Sequence, residues 1–392
     1  MSQEIELSII MPCLNEAETL GICIRKAKEF IHANNINGEI VIGDNGSTDG
    51  SQQIAIKEGA RVVIINKKGY GAALMGAIEE SKGKYIIMGD SDDSYDFLHL
   101  MPFVEKLREG CDLVMGNRFK GKIMYRSMPF INRYLGNPFL SFIGRLFFNV
   151  PIGDFHCGLR GFNRRSMLSI NLMTSGMEFA SEMVVKTAIH NLKIAEVPIT
   201  LFPDGRSRPP HLRAWHDGWR HLRFLLMYSP KWLFLYPGLF VLFVSSVFFS
   251  LLLKSPIPIG HIILDIHSML YFTTAIIVSF QIILFYIMSR IYTVNQGLIP
   301  EKKNFNNLFR YFTLERGLIL GGFLLLVGIT LMVFLIMKWK VLSYGPIIDT
   351  SQTLRYAFIS MLSLVLGVQI IFSSFMLSIL GIIQREDKNK DV

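Results

Sequence analysis

Residues 83–93 read GKYIIMGDSDD. An apolar, β-branched run, Tyr85–Met88, is followed by three aspartates, Asp90, Asp92 and Asp93. A run this short, closed by glycine, reads as a strand buried on both faces. Such strands belong to mostly parallel sheets covered by helices. Ligands of these sheets bind beyond the carboxyl ends of the strands, where the aspartates stand. Three carboxylates in four residues repel one another, and a cation is the usual remedy. Oxygen-only ligands suit Mg²⁺ or Mn²⁺. A purely structural turn is the competing reading of the cluster taken alone.

Working outward, strand and helix patterns alternate. The sequence predicts strands over 6–11, 39–43 and 61–65, and helices over 16–33, 51–58 and 71–81. Polar clusters follow two further strands: Pro12-Cys-Leu-Asn-Glu16 and Asp44-Asn-Gly-Ser-Thr-Asp49. The second is also a good turn with helix-capping residues. Gly69-Tyr-Gly71 with Gly76 has the wrong spacing for a dinucleotide fingerprint. Cys13, Cys23, Cys111 and Cys157 show no zinc spacing and require no disulfide framework; His156-Cys157 reads as structural.

Only 18% of the 392 residues are charged, against about 25% in soluble domains. The deficit lies beyond Lys231, where uncharged runs cover roughly 232–253, 268–289, 317–337 and 356–383. Each reaches the ~20 residues needed to cross a bilayer. The division expected is a domain over 1–228 and a four-span membrane domain over 229–392. That excludes a simple soluble enzyme. Residues 290–316 carry five Lys or Arg, and the C-terminal tail is basic as well. The first residues lack a signal-peptide pattern. Both termini and the N-terminal domain are therefore expected in the cytoplasm.

The ordered motifs SIIMPCLNE (8–16), DNGSTDGS (44–51), GYGAALMG (69–76) and GKYIIMGDSDD (83–93) resemble the inverting nucleotide-sugar glycosyltransferases of family two, with the GT-A fold. GNRF (116–119), DFHCGLRGF (154–162) and MEFASEM (177–183) resemble its polyprenyl-phosphate branch, that of the dolichyl-phosphate mannose and glucose synthases and their bacterial undecaprenyl counterparts. The resemblance covers about residues 5–228. It implies that Pro12, Leu14, Glu16, Gly43 and Asn45 line the nucleotide. It implies that Asp90 and Asp92 hold the diphosphate through Mg²⁺ or Mn²⁺, with Ser91 on the nucleotide and Ser94 near the ion. The family often has a second aspartate where Asn45 stands, which bears on the identity of the base.

Charge supports a lipid-phosphate acceptor separately. Residues 1–117 hold 11 basic and 18 acidic side chains, and residues 118–231 hold 17 and 6. A basic surface beside a membrane span attracts anionic headgroups. Arg118, Arg133, Arg206 and Arg208 are expected on the acceptor phosphate, because guanidinium forks bind phosphate bidentately. Segments 134–150 and 211–228 read as interfacial helices, with Arg213 and Arg220 serving adhesion. A lipid phosphate needs no general base, and Asp92, Arg118 and Arg133 are expected to carry the inverting displacement. Glu178 and Glu182, four apart on a helix, are candidate sugar contacts, as is Asp154; ion-paired structural roles compete. The expected partners are a nucleotide sugar, a polyprenyl phosphate and the membrane, with no nucleic acid and with homo-oligomerisation open. The alternatives are a transferase acting on a glycolipid hydroxyl, a polysaccharide synthase, or a non-catalytic scaffold or flippase. The Q-x-x-R-W motif of processive enzymes is not found, and intact Asp90-Ser-Asp92 argues against a relic domain.

Overall fold

A computed structural model describes residues 4–207, 214–295, 313–347 and 349–388. The chain divides into two compact units, Met1–Ser229 and Pro230–Val392.

Among the described residues the first unit is built on seven strands. In chain order they are β1 (Leu7–Cys13), β2 (Gly38–Asp44), β3 (Arg61–Ile64), β4 (Tyr85–Met88), β5 (Leu113–Ile123), β6 (Arg160–Asn163) and β7 (Ile194–Leu201). Their order across the sheet is β3-β2-β1-β4-β6-β5-β7. All neighbours pair in parallel except β6, which is antiparallel to both β4 and β5. Helices cover both faces because side chains along β1 alternate. Leu7, Ile9 and Met11 join a core with α1 (Leu20–Ala33) and α4 (Met101–Arg108). Ile10 faces a core with α3 (Tyr70–Glu80) and α7 (Phe179–Ile189). This period of two is what a two-faced sheet requires. The remaining helices of the unit are α2 (Ser51–Lys57), α5 (Asn137–Phe148), α6 (Arg164–Ser169) and α8 (Ala214–Met227).

The antiparallel strand decides the position of the site. Its amino end lies at the sheet edge where the parallel strands have their carboxyl ends, since Arg160 pairs with Met88 and Met115. The segment 154–158 therefore joins the ends of β1, β2, β4 and β5 along one rim.

The second unit contains α9 (Tyr236–Leu252), a short hairpin β8 (Ile257–Ile259) and β9 (Ile262–Leu264), then α10 (Ile266–Asn295), α11 (Leu314–Val341) and α12 (Thr350–Lys388). Among the described residues four helical stretches, Lys231–Leu252, Ile266–Asn295, Leu314–Val341 and Thr350–Leu380, are long and apolar enough to cross a membrane. α11 and α12 meet on glycines. A Cβ on Gly321 would lie 2.9 Å from the Gly367 carbonyl oxygen, and one on Gly367 would lie 2.9 Å from that of Gly321. Small residues at such seams let helix backbones close on each other. Near the start of α12, Arg355 donates to Leu252 O, at the end of α9, at 2.8 Å and to Asp265 Oδ1, just before α10, at 2.5 Å.

Candidate functional site

The carboxylates after β4 have separate fates. Asp93, in a left-handed conformation, turns to α1 and pairs with Lys26 at 2.6 Å. Asp92 Oδ1 accepts from the Ser94 hydroxyl at 2.6 Å and from the Ser94 amide at 3.1 Å. Asp90 is packed into the rim: Tyr70 donates to its Oδ1 at 2.9 Å, and a Cβ on Gly158 would lie 2.5 Å from Oδ2. Burial, with the neighbouring charge of Asp92, pushes the Asp90 carboxyl up to about 7. Ser91 binds the strand ends together, donating to Pro12 O at 2.7 Å, while Thr19 donates to Ser91 O at 2.6 Å.

A guanidinium already lies against this acidic group. Arg206 NH2 donates to Asp92 Oδ2 at 2.9 Å and to Asp204 at 3.1 Å, and NH1 donates to Glu16 Oε1 at 3.2 Å. Gly205 N bonds Asp92 O at 2.9 Å, which brings the segment after β7 to this place. Arg206 thus stands with the β4 carboxylates rather than with the other arginines expected on an acceptor phosphate. Arg208 lies outside the described residues. Among the described residues no three His, Cys, Asp or Glu side chains form a metal cage. Asp90, Asp92 and the Ser94 hydroxyl fit instead a hard cation that takes its other oxygens from a diphosphate and water. A buried carboxyl raised by a like charge is the electrostatic setting that such a cation relieves.

At the end of β2 the side chains are committed to structure. Asn45 is buried; its amide nitrogen donates to Ile65 O at 3.1 Å and Lys67 O at 2.8 Å, and its oxygen accepts from Gly69 N at 2.7 Å. The expected contact of this side chain with a base is corrected accordingly. The geometry also explains asparagine here, since a carboxylate has no hydrogen to give two carbonyls. Gly43 lies beneath α3, where a Cβ would collide with Ala73 O, so close packing of the helix requires glycine here. Pro12 is half-buried, Leu14 is exposed and Glu16 is buried near Arg206.

Arg118 and Asp154 form a fork-on-fork pair. Nε donates to Oδ2 at 2.6 Å and NH2 to Oδ1 at 2.8 Å, and the Arg118 amide also reaches Oδ2 at 3.1 Å. Burial opposes the guanidinium charge, but Asp154 more than offsets it and raises the pKa. Asp154, fully buried, is an anchor for Arg118 and not an open sugar contact. Glu182 is likewise fully buried. It pairs with Lys186 at 2.9 Å and accepts from Met173 N, Thr174 N and the Thr174 hydroxyl. Its expected sugar contact is corrected to a loop anchor. Glu178 accepts from Arg220 at 3.0 Å, which removes Arg220 from simple surface adhesion. Arg133 lies in the wider helical turn Asn132–Gly136 before α5, its guanidinium 5.4 Å from the Tyr134 ring centroid. It is not brought to Arg118 by any direct bond.

Three contributors escaped the sequence reading. Tyr70 holds Asp90; the only signal was the glycine pair around it. Glu196, on β7, gathers Asn117, Gly153 N and Asp154 N. Arg160, fully buried on β6, donates to Cys157 O, Ala180 O and Phe155 O. Beside it, His156 Nε2 and His221 Nδ1 share the Ser181 hydroxyl at 3.1 and 2.8 Å. Burial lowers both imidazoles, His221 to about 4, and keeps them neutral.

Residues 8–169 match glycosyl transferase family 2, and residues 287–381 match the glycosyltransferase family 2 C-terminal transmembrane region. The low-salt glycan biosynthesis hexosyltransferase Agl6 of Haloferax volcanii is 34% identical over 380 residues, 96% of this chain and 89% of the relative. The dolichyl-phosphate hexose transferase of the same organism is 29% identical over 195 residues, 50% of this chain and 82% of the relative. Among solved structures, glucosyl-3-phosphoglycerate synthase from Mycobacterium tuberculosis, in complex with Mn²⁺, uridine diphosphate and glucosyl-3-phosphoglycerate, aligns with a TM-score of 0.46 and 22% identity over 57% of this chain and 80% of that one. Agreement with Agl6 over nearly the whole of both chains, on a mostly parallel sheet followed by four described helices long and apolar enough to cross a membrane, establishes that this chain is a membrane glycosyltransferase belonging to glycosyl transferase family 2.

Proposed function

We propose that the enzyme transfers a hexose from a UDP- or GDP-linked sugar to a polyprenyl phosphate, with inversion at the anomeric carbon. One observation carries the acceptor class. Five of the six carboxylates of residues 118–231 stand in ion pairs, Asp154 with Arg118, Glu178 with Arg220, Glu182 with Lys186, Glu196 with Lys120 and Asp204 with Arg206, and the sixth, Asp217, is buried, with His216 at 3.2 Å. A hydroxyl acceptor calls for a general base, and these carboxylates are poorly placed to be one. A phosphate is already an anion and needs none. The dolichyl-phosphate hexose transferase of Haloferax volcanii supports the same acceptor class, and the hexosyltransferase Agl6 supports the transferred group.

In this reading Pro12, Leu14 and Glu16 line the nucleotide, and Asp90, Asp92 and Ser94 hold Mg²⁺ or Mn²⁺. The cation supplies charge neutralisation of the leaving diphosphate. Arg118, oriented by Asp154, and Arg133 bind the incoming phosphate and place one oxygen in line with the anomeric carbon. Arg206 leaves Asp92 as the donor arrives and turns to the diphosphate. The faces of α5 and α8 that expose Phe139, Phe142, Trp215 and Trp219 lie in the membrane interface. Residues 113–153 contain no acidic residue, so nothing on that segment repels an anionic surface. The catalytic unit lies in the cytoplasm, where basic residues of 290–316 also belong.

The test is incubation of purified full-length protein with a panel of UDP- and GDP-sugars, Mg²⁺ and undecaprenyl or dolichyl phosphate. A lipid product with the mass of a hexosyl phosphate is expected. Transfer to glycolipid hydroxyls alone would overturn the acceptor assignment. For the topology, a membrane-impermeant thiol probe should label a cysteine placed at Gly260 or Asp349 from outside and spare one at Asn306; the opposite pattern refutes it.

A further inference from the structure

α8 presents two chemically distinct faces. Trp215, Trp219, Arg223 and Met227, spaced by four, are exposed. The opposite face is wired into the start of α7. Arg220 NH2 lies 3.0 Å from both oxygens of Glu178, and His221 reaches His156 through the Ser181 hydroxyl. The wiring continues. The loop 173–176, which precedes Glu178, is held by Glu182 and rests on the beginning of α3. Ala72 N donates to Ser175 O at 3.2 Å. A Cβ on Gly69 would collide with Ser175 O, and one on Gly71 with Thr174 O. No side chain can separate the two segments at these points. Between those glycines stands Tyr70, whose hydroxyl holds Asp90.

We propose that Glu178 and Arg220 are positioning residues that couple α8 to the donor carboxylates: the seating of α8 sets the 173–176 loop, the loop sets Gly69–Gly71, and Tyr70 sets Asp90. The proposal rests on the reading of the β4 end as the donor site. Its consequence is that contact of the outer face of α8 with lipid completes the donor site, although no residue of α8 touches the donor. Glu178 thereby acts through Arg220 and the loop, and not as a sugar ligand.

The experiment uses the full-length protein in lipid nanodiscs and compares Arg220→Glu, Glu178→Arg and the double swap. Hydrogen exchange at Ala72 and affinity for Mn²⁺ in the presence of UDP or GDP are measured. Coupling between contacting residues predicts that each single variant exchanges Ala72 about tenfold faster and binds Mn²⁺ about tenfold more weakly. Amides of β1 and β2 should be unaffected, and the swap should restore both readouts to within about twofold. Unchanged exchange and affinity in folded single variants, or no restoration in a folded swap, overturns the coupling. Arg220→Gln serves if the reversals do not fold: it should show the same two defects, and normal values refute the proposal. Neither readout involves an acceptor. Failure to glycosylate polyprenyl phosphate therefore leaves the coupling standing, and loss of coupling leaves the acceptor assignment standing.

Discussion

Two pairs of carboxylates in this enzyme look alike in the sequence. Asp90 and Asp92 are two residues apart, and Glu178 and Glu182 are four apart at the start of a helix. Their surroundings differ. Glu182 has Lys186 and three donors of the 173–174 loop, and Glu178 has Arg220. Asp92 has Arg206 at 2.9 Å, on the segment after β7, while Asp90 has one neutral tyrosine hydroxyl and a like-charged neighbour, and its carboxyl is pushed up to about 7 by burial first and Asp92 second. The lesson concerns charge balance. Glu182, sealed against Lys186 and the 173–174 amides, supports the fold, whereas Asp90 bonds no cation among the described residues and carries the excess that a bound cation would offset.

The sharpest way to break this comparison is Glu182→Gln. Removing one partner of a buried ion pair costs about 3–5 kcal/mol, so thermal unfolding of the detergent-solubilised protein should show the largest drop of any variant considered. The fraction that remains folded should keep its turnover. Normal folding with lost turnover would move Glu182 into the site and end the contrast. Asp92→Asn should do the reverse. Turnover falls by about 10²–10³, the usual loss for a major electrostatic stabiliser, while the unfolding midpoint holds. Retention of more than about a tenth of wild-type rate in Mg²⁺ would refute the role.

Neutralisation by burial alone can be read through pH. His221 is held neutral in the fold, at about 4, against about 6.5 in an unfolded chain. Between these values the unfolded state binds more protons. Stability is therefore complete above about pH 6.5 and is lost as pH falls, by about 3 kcal/mol near pH 4 from this residue. His221→Asn should flatten that acid limb in a series of unfolding midpoints; an unchanged limb would show that other groups produce it. A smaller effect is expected for Asn45→Asp, which removes both donors to the 65–67 carbonyls at about 1–3 kcal/mol. If that variant were as stable as the wild type and changed nucleotide preference, the base contact denied to Asn45 would have to be reinstated. The smallest change is Arg133→Lys, which keeps the charge and loses the fork. It should raise KM for polyprenyl phosphate and leave donor binding near normal; equal weakening of both substrates would contradict the assignment.

The parts of the fold legible in the sequence were those with a strong period. β1, β2 and β4 are apolar runs ended by polar clusters, and the four membrane-length helices declare themselves by composition. β6 was not legible. It is four residues long, contains glycine, and begins with Arg160, a residue that normally marks a surface. Its burial depends on carbonyls from two other segments, which no local pattern displays. The site shows the same division. Asp90 and Asp92 could be singled out because three carboxylates in four residues are locally costly. The commitment of Asn45 to the 65–69 loop, of Asp154 to Arg118 and of Glu182 to Lys186 and the 173–174 amides arises from packing. Tyr70 sits in a motif that invited a nucleotide-binding explanation, yet its glycines exist because α3 and the 173–176 loop touch backbone to backbone.

The glycine seam between α11 and α12 has a consequence for lipid traffic. Gly321 and Gly367 face each other's carbonyls, a Cβ on Gly328 would lie 2.7 Å from Leu364, and Ser360 donates to Gly328 O at 2.7 Å. A methyl-branched hydrocarbon chain is far wider than the space such a seam leaves. The two helices therefore form a closed pair, and any hydrocarbon chain that meets them must pass around the pair instead of threading between its members.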